Sequence, residues 1–176
     1  MACSPRAQNI ALKQTTRFVA DAMLGSLARK LRIFGFDTAY FARGDDLELE
    51  SLARKERRVI LTSDRGLFAR SKGRGTVVIL VEGKTDRARL RSVAEQAGLG
   101  TDLRLGAGRA SRCAVCNGEL ELLGRKEAIA SKVPPKVLAS HRLFFRCRSC
   151  SRCYWRGRHW DRLRRLSYSV NPKDLT

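Results

Sequence analysis

The chain lacks any long apolar run. None of its hydrophobic stretches approaches the ~18–20 residues that a membrane-spanning helix needs, and no positive, apolar and small-residue order marks a secretory signal. We therefore expect a soluble, cytoplasmic protein with no membrane partner. Residues 1–16 contain no acid and are expected to be a disordered leader, and an organellar location would follow if they act as a transit peptide.

Acidic residues are scarce. The 176 residues include 36 Lys and Arg against 17 Asp and Glu, a net charge of +19. So large an excess predicts a polyanionic partner, with nucleic acid as the leading candidate, although a basic surface that serves solubility is the alternative. Residues 100–176 carry the larger share of this positive charge, with 17 basic side chains against 6 acidic ones.

Strand-like and helical segments alternate over residues 17–99. Apolar strands that end near Ala20, Phe41, Thr62 and Val81 are each followed by a helical pattern. Continuous apolar strands with short connections predict a parallel sheet with helices on both faces, in the order βαβαβαβα. The glycine-rich residues 100–110 are a predicted linker, and neither GxGxxG nor a P-loop motif is present, so no nucleotide site of either kind is predicted.

Acidic residues follow all four predicted strands. Because parallel strands bring their carboxyl ends to one edge of a sheet, acids that are distant in sequence can converge there. Singly, each acid can be a helix cap or turn residue, but the recurrence favours a site for a hard cation such as Mg²⁺ or Mn²⁺, which suits phosphodiester hydrolysis. The acids are Asp21, then Asp45 or Asp46, then Asp64, then Glu82 or Asp86.

Two CxxC pairs, with 30 residues between them, predict a zinc ribbon within residues 111–166. The proposed zinc ligands are Cys113, Cys116, Cys147 and Cys150. Two disulfides are the alternative, which an intracellular setting disfavours. Cys153 forms a competing CxxC with Cys150, whereas Cys3 is assigned no role.

An arginine-rich stretch overlaps the second cysteine pair. Residues 142–165 hold nine arginines against one acid, with aromatic residues between them. Arginines neutralise phosphates and exposed aromatics stack on unpaired bases, so this composition suits RNA or single strands, although aromatics in a small ribbon also serve as its core. The predicted RNA-binding residues are Arg142, Arg146, Arg148, Arg152, Arg156, Arg158, Arg162, Trp155 and Trp160, and residues 167–176 are left as a C-terminal tail.

Several motifs together resemble a known family, the PIN-like ribonuclease domain found at the C-terminus of the Mut-7 exoribonuclease and as free-standing proteins. The resemblance covers residues 17–166. The motifs are FVADAMLGSLARKLR (18–32), GFDT (35–38), ILTSD (60–64), CAVCNG (113–118), VPPKV (133–137), CRSC (147–150) and YWRGRHW (154–160). The chain departs from the family pattern at Lys30, where an aromatic residue is expected.

The resemblance implies a PIN-like three-layer α/β/α sandwich with a parallel sheet, followed by a small zinc-ribbon domain. It also implies metal-dependent cleavage of RNA. By position, Asp21 and Asp64 match the first and third acids of the family site. Asp46 is the best match for the second acid, with Asp45 beside it. The expected catalytic residues are thus Asp21, Asp46, Asp64 and Asp86, and the expected Mg²⁺ or Mn²⁺ ligands are Asp21, Asp45, Asp46, Asp64 and Glu82.

Three functions compete. The first is an endoribonuclease that acts on structured RNA, with a ribosomal or transfer RNA precursor as the candidate substrate. The second is a non-catalytic RNA- or ribosome-binding module that retains the fold. A receiver-like signalling domain would also place acids at strand ends, but this chain lacks the expected lysine on a late strand, because Lys84 lies only in the turn that follows.

Overall fold

The computed structural model of the chain describes residues 16–99, 103, 105, 110–131 and 133–170. These residues form a four-stranded parallel sheet with helices and a three-stranded antiparallel sheet. Nearly all of the predicted leader, most of the predicted linker and residues 171–176 of the predicted tail lie outside the described residues. No helix in the described part of the chain is long and apolar enough to cross a bilayer.

The parallel sheet has the spatial order β2-β1-β3-β4. Strands and helices alternate along the chain, as predicted. The elements are β1 (Arg17–Ala20), a 3-10 turn (Ala22–Leu24), α1 (Gly25–Ile33), β2 (Thr38–Tyr40), α2 (Asp46–Lys55), β3 (Arg58–Thr62), α3 (Arg65–Gly73), β4 (Val78–Leu80) and α4 (Asp86–Ala97). Strands β2 and β4 are shorter than the apolar runs that predicted them.

The two faces of this sheet bury separate hydrophobic clusters. Successive strand residues point to opposite faces, so Phe18 packs with the residues of α1 and α4, whereas its neighbour Val19 packs with those of α2 and α3. In the same way Leu61 belongs to the first cluster and Ile60 to the second. Helices therefore cover both faces, as the continuous apolar strands predicted.

Local sequence signals fix where the helices begin and end. Asp45 caps α2 in a capping box with Glu48, and Thr85 caps α4 by accepting from the backbone N–H of Ala88. Gly35 follows α1 with φ of 92°, a left-handed conformation that glycine adopts without a Cβ clash. The chain can thus reverse into β2 within a few residues.

The second sheet belongs to the cysteine unit, which we define as residues 110–157. Its elements are β5 (Leu120–Leu123), α5 (Arg125–Ala130), α6 (Pro135–Ser140), β6 (Phe144–Cys147) and β7 (Cys153–Trp155). The strands are antiparallel in the order β5-β6-β7. A small cluster that includes Leu123, Ala128, Val133 and Phe144 forms its core.

A last helix, α7 (Arg158–Ser169), packs against the α/β unit, which is formed by the parallel sheet and its helices. Leu163 and Val170 belong to the hydrophobic cluster that α1 and α4 form on the parallel sheet, and Trp160 and Leu166 pack against it while partly buried. The sequence places most of this helix in the predicted ribbon and its arginine-rich stretch, and its packing against the parallel sheet was not predicted. The cluster on the parallel sheet is much larger than the four-residue buried core of the cysteine unit, so it offers the apolar stripe of α7 the larger surface.

Candidate active site and metal centre

The parallel sheet has a topological switch point between β1 and β3. From β1 the chain passes to β2 on one side and then places β3 on the other side. Connections that diverge in this way leave a crevice at the carboxyl ends of the two strands, where open α/β sheets bind ligands. We call the side of the sheet where its strands end the carboxyl edge.

Asp21 lies at the carboxyl edge directly after β1. Its backbone N–H donates to the carbonyl of Leu61 at 3.0 Å, which extends the pairing of β1 with β3 and fixes its position. The carboxylate caps the following 3-10 turn by accepting from the backbone N–H of Ala22 at 2.5 Å. Its other oxygen accepts from the hydroxyl of Thr62 at 2.9 Å.

Asp64 follows β3 at the same edge and caps α3. Its Oδ1 accepts from the backbone N–H groups of Gly66 at 2.6 Å and Leu67 at 3.1 Å. The backbone N–H of Asp64 donates to the Thr62 hydroxyl at 3.0 Å, and that hydroxyl in turn donates to Asp21. The structure therefore brings Asp21 and Asp64 together through one fully buried threonine.

Thr62 was not among the predicted site residues. The available signal was its place at the end of an apolar strand, two residues before an acid. Both acids also prove to be helix caps, which was the alternative reading. A cap uses part of a carboxylate, and no donor among the described residues bonds to Oδ2 of Asp64, so this oxygen is available to a cation.

The remaining predicted acids have other partners. Asp45 caps its own helix, and Asp46 pairs with Arg70 on α3. Glu82 lies 4.0 Å from Arg65 in an exposed ion pair. Among the described residues, no three of the predicted acids lie close enough to share one ion in this arrangement.

Asp86, in the first turn of α4, bonds to α1. Its Oδ2 lies 3.0 Å from the ammonium of Lys30, which is 17% exposed, and its Oδ1 accepts from the hydroxyl of Ser26 at 3.5 Å. Lys30 is the residue at which the chain departs from the family pattern. The ammonium of Lys30 thus neutralises the candidate fourth acid.

A groove of about 920 Å³ lies along the free edge of β4, between α3 and α4. Its walls include Phe68, Lys72, Arg91 and Gln96, but neither Asp21 nor Asp64. The side-chain amide of Gln96 donates to the carbonyl of Leu80 at 2.7 Å, which partly satisfies this strand edge. The groove is therefore separate from the carboxylate pair.

The four predicted zinc ligands converge in the cysteine unit. The sulfur atoms of Cys113, Cys116, Cys147 and Cys150 all lie within 4.8 Å of one another. Cys113 and Cys150 are 3.6 Å apart and Cys116 and Cys147 are 3.4 Å apart, so these cysteines are free thiols and not disulfides. Tetrahedral zinc with bonds of about 2.3 Å needs sulfur atoms at roughly this separation. The donor set therefore fits a zinc ion, and Cys153 is not part of it.

Hydrogen bonds prepare Cys113 to act as a thiolate. Burial alone would raise its pKa, but donors that include the backbone N–H of Cys116 and the hydroxyl of Tyr154, 2.9 Å away, lower the pKa to about 6. Burial and the neighbouring thiols instead raise the pKa of Cys116 to about 12. Tyr154 is one of the aromatic residues within the arginine-rich stretch, and the contact of its hydroxyl with Cys113 was not predicted.

The turn that carries the first cysteine pair is docked on the parallel sheet. Arg32, which is 5% exposed, donates from Nη1 to the carbonyls of Ala114 and Val115 at 3.0 and 2.9 Å, and from Nε to the carbonyl of Thr38 at 2.7 Å. Asn117 adds a second connection, because its side chain accepts from the backbone N–H of Thr38 at 3.0 Å. The cysteine cluster and the α/β unit are therefore joined by buried polar contacts.

The predicted RNA-binding arginines differ in their surroundings. Arg146 donates twice to Glu121, at 2.7 and 3.0 Å, and Arg148 lies 3.4 Å from the same acid, so β5 partly neutralises both. Arg156 lies over the ring of Trp160 at 5.0 Å. The others, Arg142, Arg152, Arg158 and Arg162, have no ion-pair partner among the described acids and lie at the surface.

The two predicted tryptophans also differ. Trp155 is 38% exposed and makes an edge contact with His141 at 6.5 Å between ring centroids. Trp160 packs against the hydrophobic core. Exposure therefore makes Trp155 the better candidate for stacking on a base.

The fold and these two centres define a mixed α/β protein with two acids, Asp21 and Asp64, at the switch point of a parallel sheet and a four-thiol cluster that can hold a metal. A family model described as the Mut7-C RNAse domain matches residues 16–167, which is most of the chain. The chain therefore belongs to the Mut7-C RNAse domain family, and the resemblance drawn from the sequence is confirmed. Comparisons with curated proteins and with solved structures each gave no match.

Proposed function

We propose that the chain is a PIN-like, metal-dependent endoribonuclease that hydrolyses phosphodiester bonds in RNA. Membership of the Mut7-C RNAse domain family supports a ribonuclease-type function. One observation carries the proposal of catalysis: Asp21 and Asp64 lie at the ends of adjacent central strands and are joined through the Thr62 hydroxyl. A parallel sheet with helices on both faces supports the PIN-like architecture.

The proposed site takes a hard divalent cation. Asp21 and Asp64 would hold it through carboxylate oxygens, which are the ligands that Mg²⁺ and Mn²⁺ prefer. Such an ion supplies activation of a water molecule and stabilisation of the leaving oxygen in phosphodiester hydrolysis. The cap bonds to Ala22, Gly66 and Leu67 hold the two carboxylates in position before any cation arrives.

The other predicted acids would complete the site. Asp46, with Asp45 beside it, is proposed as the second acid, and Glu82 or Asp86 as the fourth. In the structure Asp46 pairs with Arg70, and Asp86 pairs with Lys30. A cation that draws on these acids must therefore displace basic side chains, which are then free to bind substrate phosphates.

The cysteine cluster is proposed to hold a structural zinc ion, and the basic surface to bind RNA. Zinc bound by four thiolates has no open position for a substrate and stabilises a small domain. Arginines that no described acid neutralises, together with Trp155, would contact phosphates and bases. A ribosomal or precursor RNA is the proposed substrate class.

A non-catalytic RNA-binding module is the second candidate. One observation favours it: among the described residues no three acids converge on one position, and three of the four predicted acids other than Asp21 and Asp64 are paired with basic side chains. Net charge and the cysteine unit suit both candidates equally. Only cleavage separates them.

The test is cleavage of end-labelled structured RNAs in Mn²⁺ or Mg²⁺ by the wild type, by Asp21→Asn and Asp64→Asn, and by the double variant that carries both changes. Asparagine retains most of the capping ability but halves the anionic ligand set, so each variant should fold and lose at least about 100-fold in rate. Glu95→Gln is the control, since Glu95 is exposed near the far end of α4. Wild-type activity no higher than that of the double variant would establish the binding module instead.

A further inference from the structure

Helix α7 presents a row of arginines on the side opposite its buried face. Leu163 and Ser167 are buried, whereas Arg158, Arg162 and Arg165 are exposed. Spacings of four and three residues place these arginines on one side of the helix. No acid among the described residues forms an ion pair with any of the three, so their charges face solvent.

The helix begins at the cysteine unit. It follows β7 after a short turn in which Gly157 is the N-cap. The guanidinium of Arg156 lies over the rings of both Phe145 and Trp160, at 5.9 and 5.0 Å, and so joins β6 to the first turn of α7. These contacts fix one end of the arginine row beside the cysteine unit.

The other end of α7 lies at the carboxyl edge. The backbone carbonyl of Ser169, its last residue, accepts from Nε of Arg87 at 3.0 Å. Arg87 is in the first turn of α4, which starts where β4 has ended at the carboxyl edge, and its neighbour Asp86 pairs with Lys30 of α1. The 12 residues of α7 thus span ~18 Å from the cysteine unit toward the edge that carries Asp21.

We propose that α7 is a phosphate-binding guide, along which an RNA strand runs from the cysteine unit to the carboxylate pair. This inference rests on the proposed function for its substrate, and adds a path and the residue Arg165. The row offers three fixed cations to a polyanion without base-specific contacts, so it would bind RNA of any sequence. Asp161 is the one acid in the helix and lies between Arg158 and Arg162 in sequence, so Asp161→Asn should tighten binding slightly.

The experiment measures RNA affinity without divalent metal, so that it does not depend on cleavage. A fluorescein-labelled single-stranded RNA of about 20 nucleotides is titrated by anisotropy at several salt concentrations. The test variant is Arg158→Gln, Arg162→Gln and Arg165→Gln combined. The matched control removes three exposed cations from the opposite face of the sheet, by Lys55→Gln, Arg57→Gln and Lys72→Gln.

The test variant should flatten the slope of log affinity against log salt by about two to three, and weaken binding at least 10-fold at low salt. The control should change the slope by less than one. Replacing the same three arginines by lysine should restore most of the affinity, because a point charge also binds phosphate, and this excludes misfolding as the cause. Equal changes of the salt slope in the test and control variants, or an unchanged slope in the test variant, would overturn the proposal that α7 guides RNA.

A second readout tests the path itself. Ultraviolet crosslinking of 4-thiouridine RNA, followed by mass spectrometry, should place single RNA molecules on both α7 and the first turn of α4. Crosslinks confined to the cysteine unit would overturn the path. Because both readouts are made without catalysis, a wild type that binds RNA along α7 yet never cleaves it would refute the nuclease and leave the guide standing.

Discussion

Arg32→Met is the most informative single substitution for the joint between the two units. Methionine keeps most of the apolar stem but removes the guanidinium, which is almost fully buried. Three backbone carbonyls then lose a charged donor: those of Thr38, Ala114 and Val115. Two of these carbonyls belong to the turn that carries the first cysteine pair.

The expected cost follows from those three hydrogen bonds. A hydrogen bond that involves a charged group contributes about 1.5–3 kcal/mol, and a buried acceptor left without a donor carries a similar penalty. The bonds share one side chain and are not additive, so we expect a loss of about 3–5 kcal/mol in the free energy of unfolding. For a domain whose total stability is of order 5–15 kcal/mol, this is a large fraction.

Urea denaturation measures this loss, and the rate at which a chromogenic chelator removes the proposed zinc ion measures its effect on the cysteine turn. Arg29→Met is the matched control, because Arg29 is exposed on the same helix. The control should lose less than 0.5 kcal/mol. A loss below about 1 kcal/mol for Arg32→Met, with zinc release unchanged, would refute the view that this guanidinium joins the two units.

Three further predictions concern single side chains. Burial alone would raise the pKa of Glu50, but hydrogen bonds from Ser71 and Arg74 outweigh burial, so the pKa in the folded protein lies below the ordinary value of 4.5. Glu50→Gln should therefore lower the free energy of unfolding by about 2 kcal/mol at pH 7, as measured by urea denaturation. This difference in stability from the wild type should close as the pH falls below about 4.5. A pH-independent gap would contradict this origin. Cys116→Ser should lose the metal by elemental analysis and destabilise both units, because zinc ligation contributes of order 10 kcal/mol in small domains; wild-type protein purified without chelator that contains no zinc would contradict it. Arg146→Gln, which removes an arginine already bonded to an acid, should change the salt slope of RNA binding by less than half a phosphate contact, and a full unit would show that the ion pair opens on RNA.

The alternation of strands and helices could be predicted because each buried strand is a continuous apolar run. The position of α7 could not. Its sequence shows an apolar stripe at Leu163, Leu166 and Val170, but a stripe does not specify which surface it covers. The structure gives it the α1 and α4 cluster, where it can bury more apolar area than on the small cysteine unit.

The positions of the candidate site residues could likewise be predicted only in part. Asp21 and Asp64 follow strands, and parallel strands bring their ends to one edge, so their proximity followed from the sequence. The ion pairs Asp46–Arg70 and Asp86–Lys30 could not be predicted from the sequence, because they depend on how helices distant in sequence face one another. The convergence of the cysteines was predicted because CxxC spacing is a local property.

A crystal structure of the protein soaked with Mn²⁺ tests the central claim most directly. Anomalous scattering identifies the ion without assumption about its ligands. We predict one Mn²⁺ at the carboxyl edge, bonded to oxygens of both Asp21 and Asp64 at ~2.0–2.6 Å. A distance of more than ~10 Å between the two carboxylates, or Mn²⁺ bound only elsewhere on the protein, would contradict the shared metal site and with it the proposed nuclease activity.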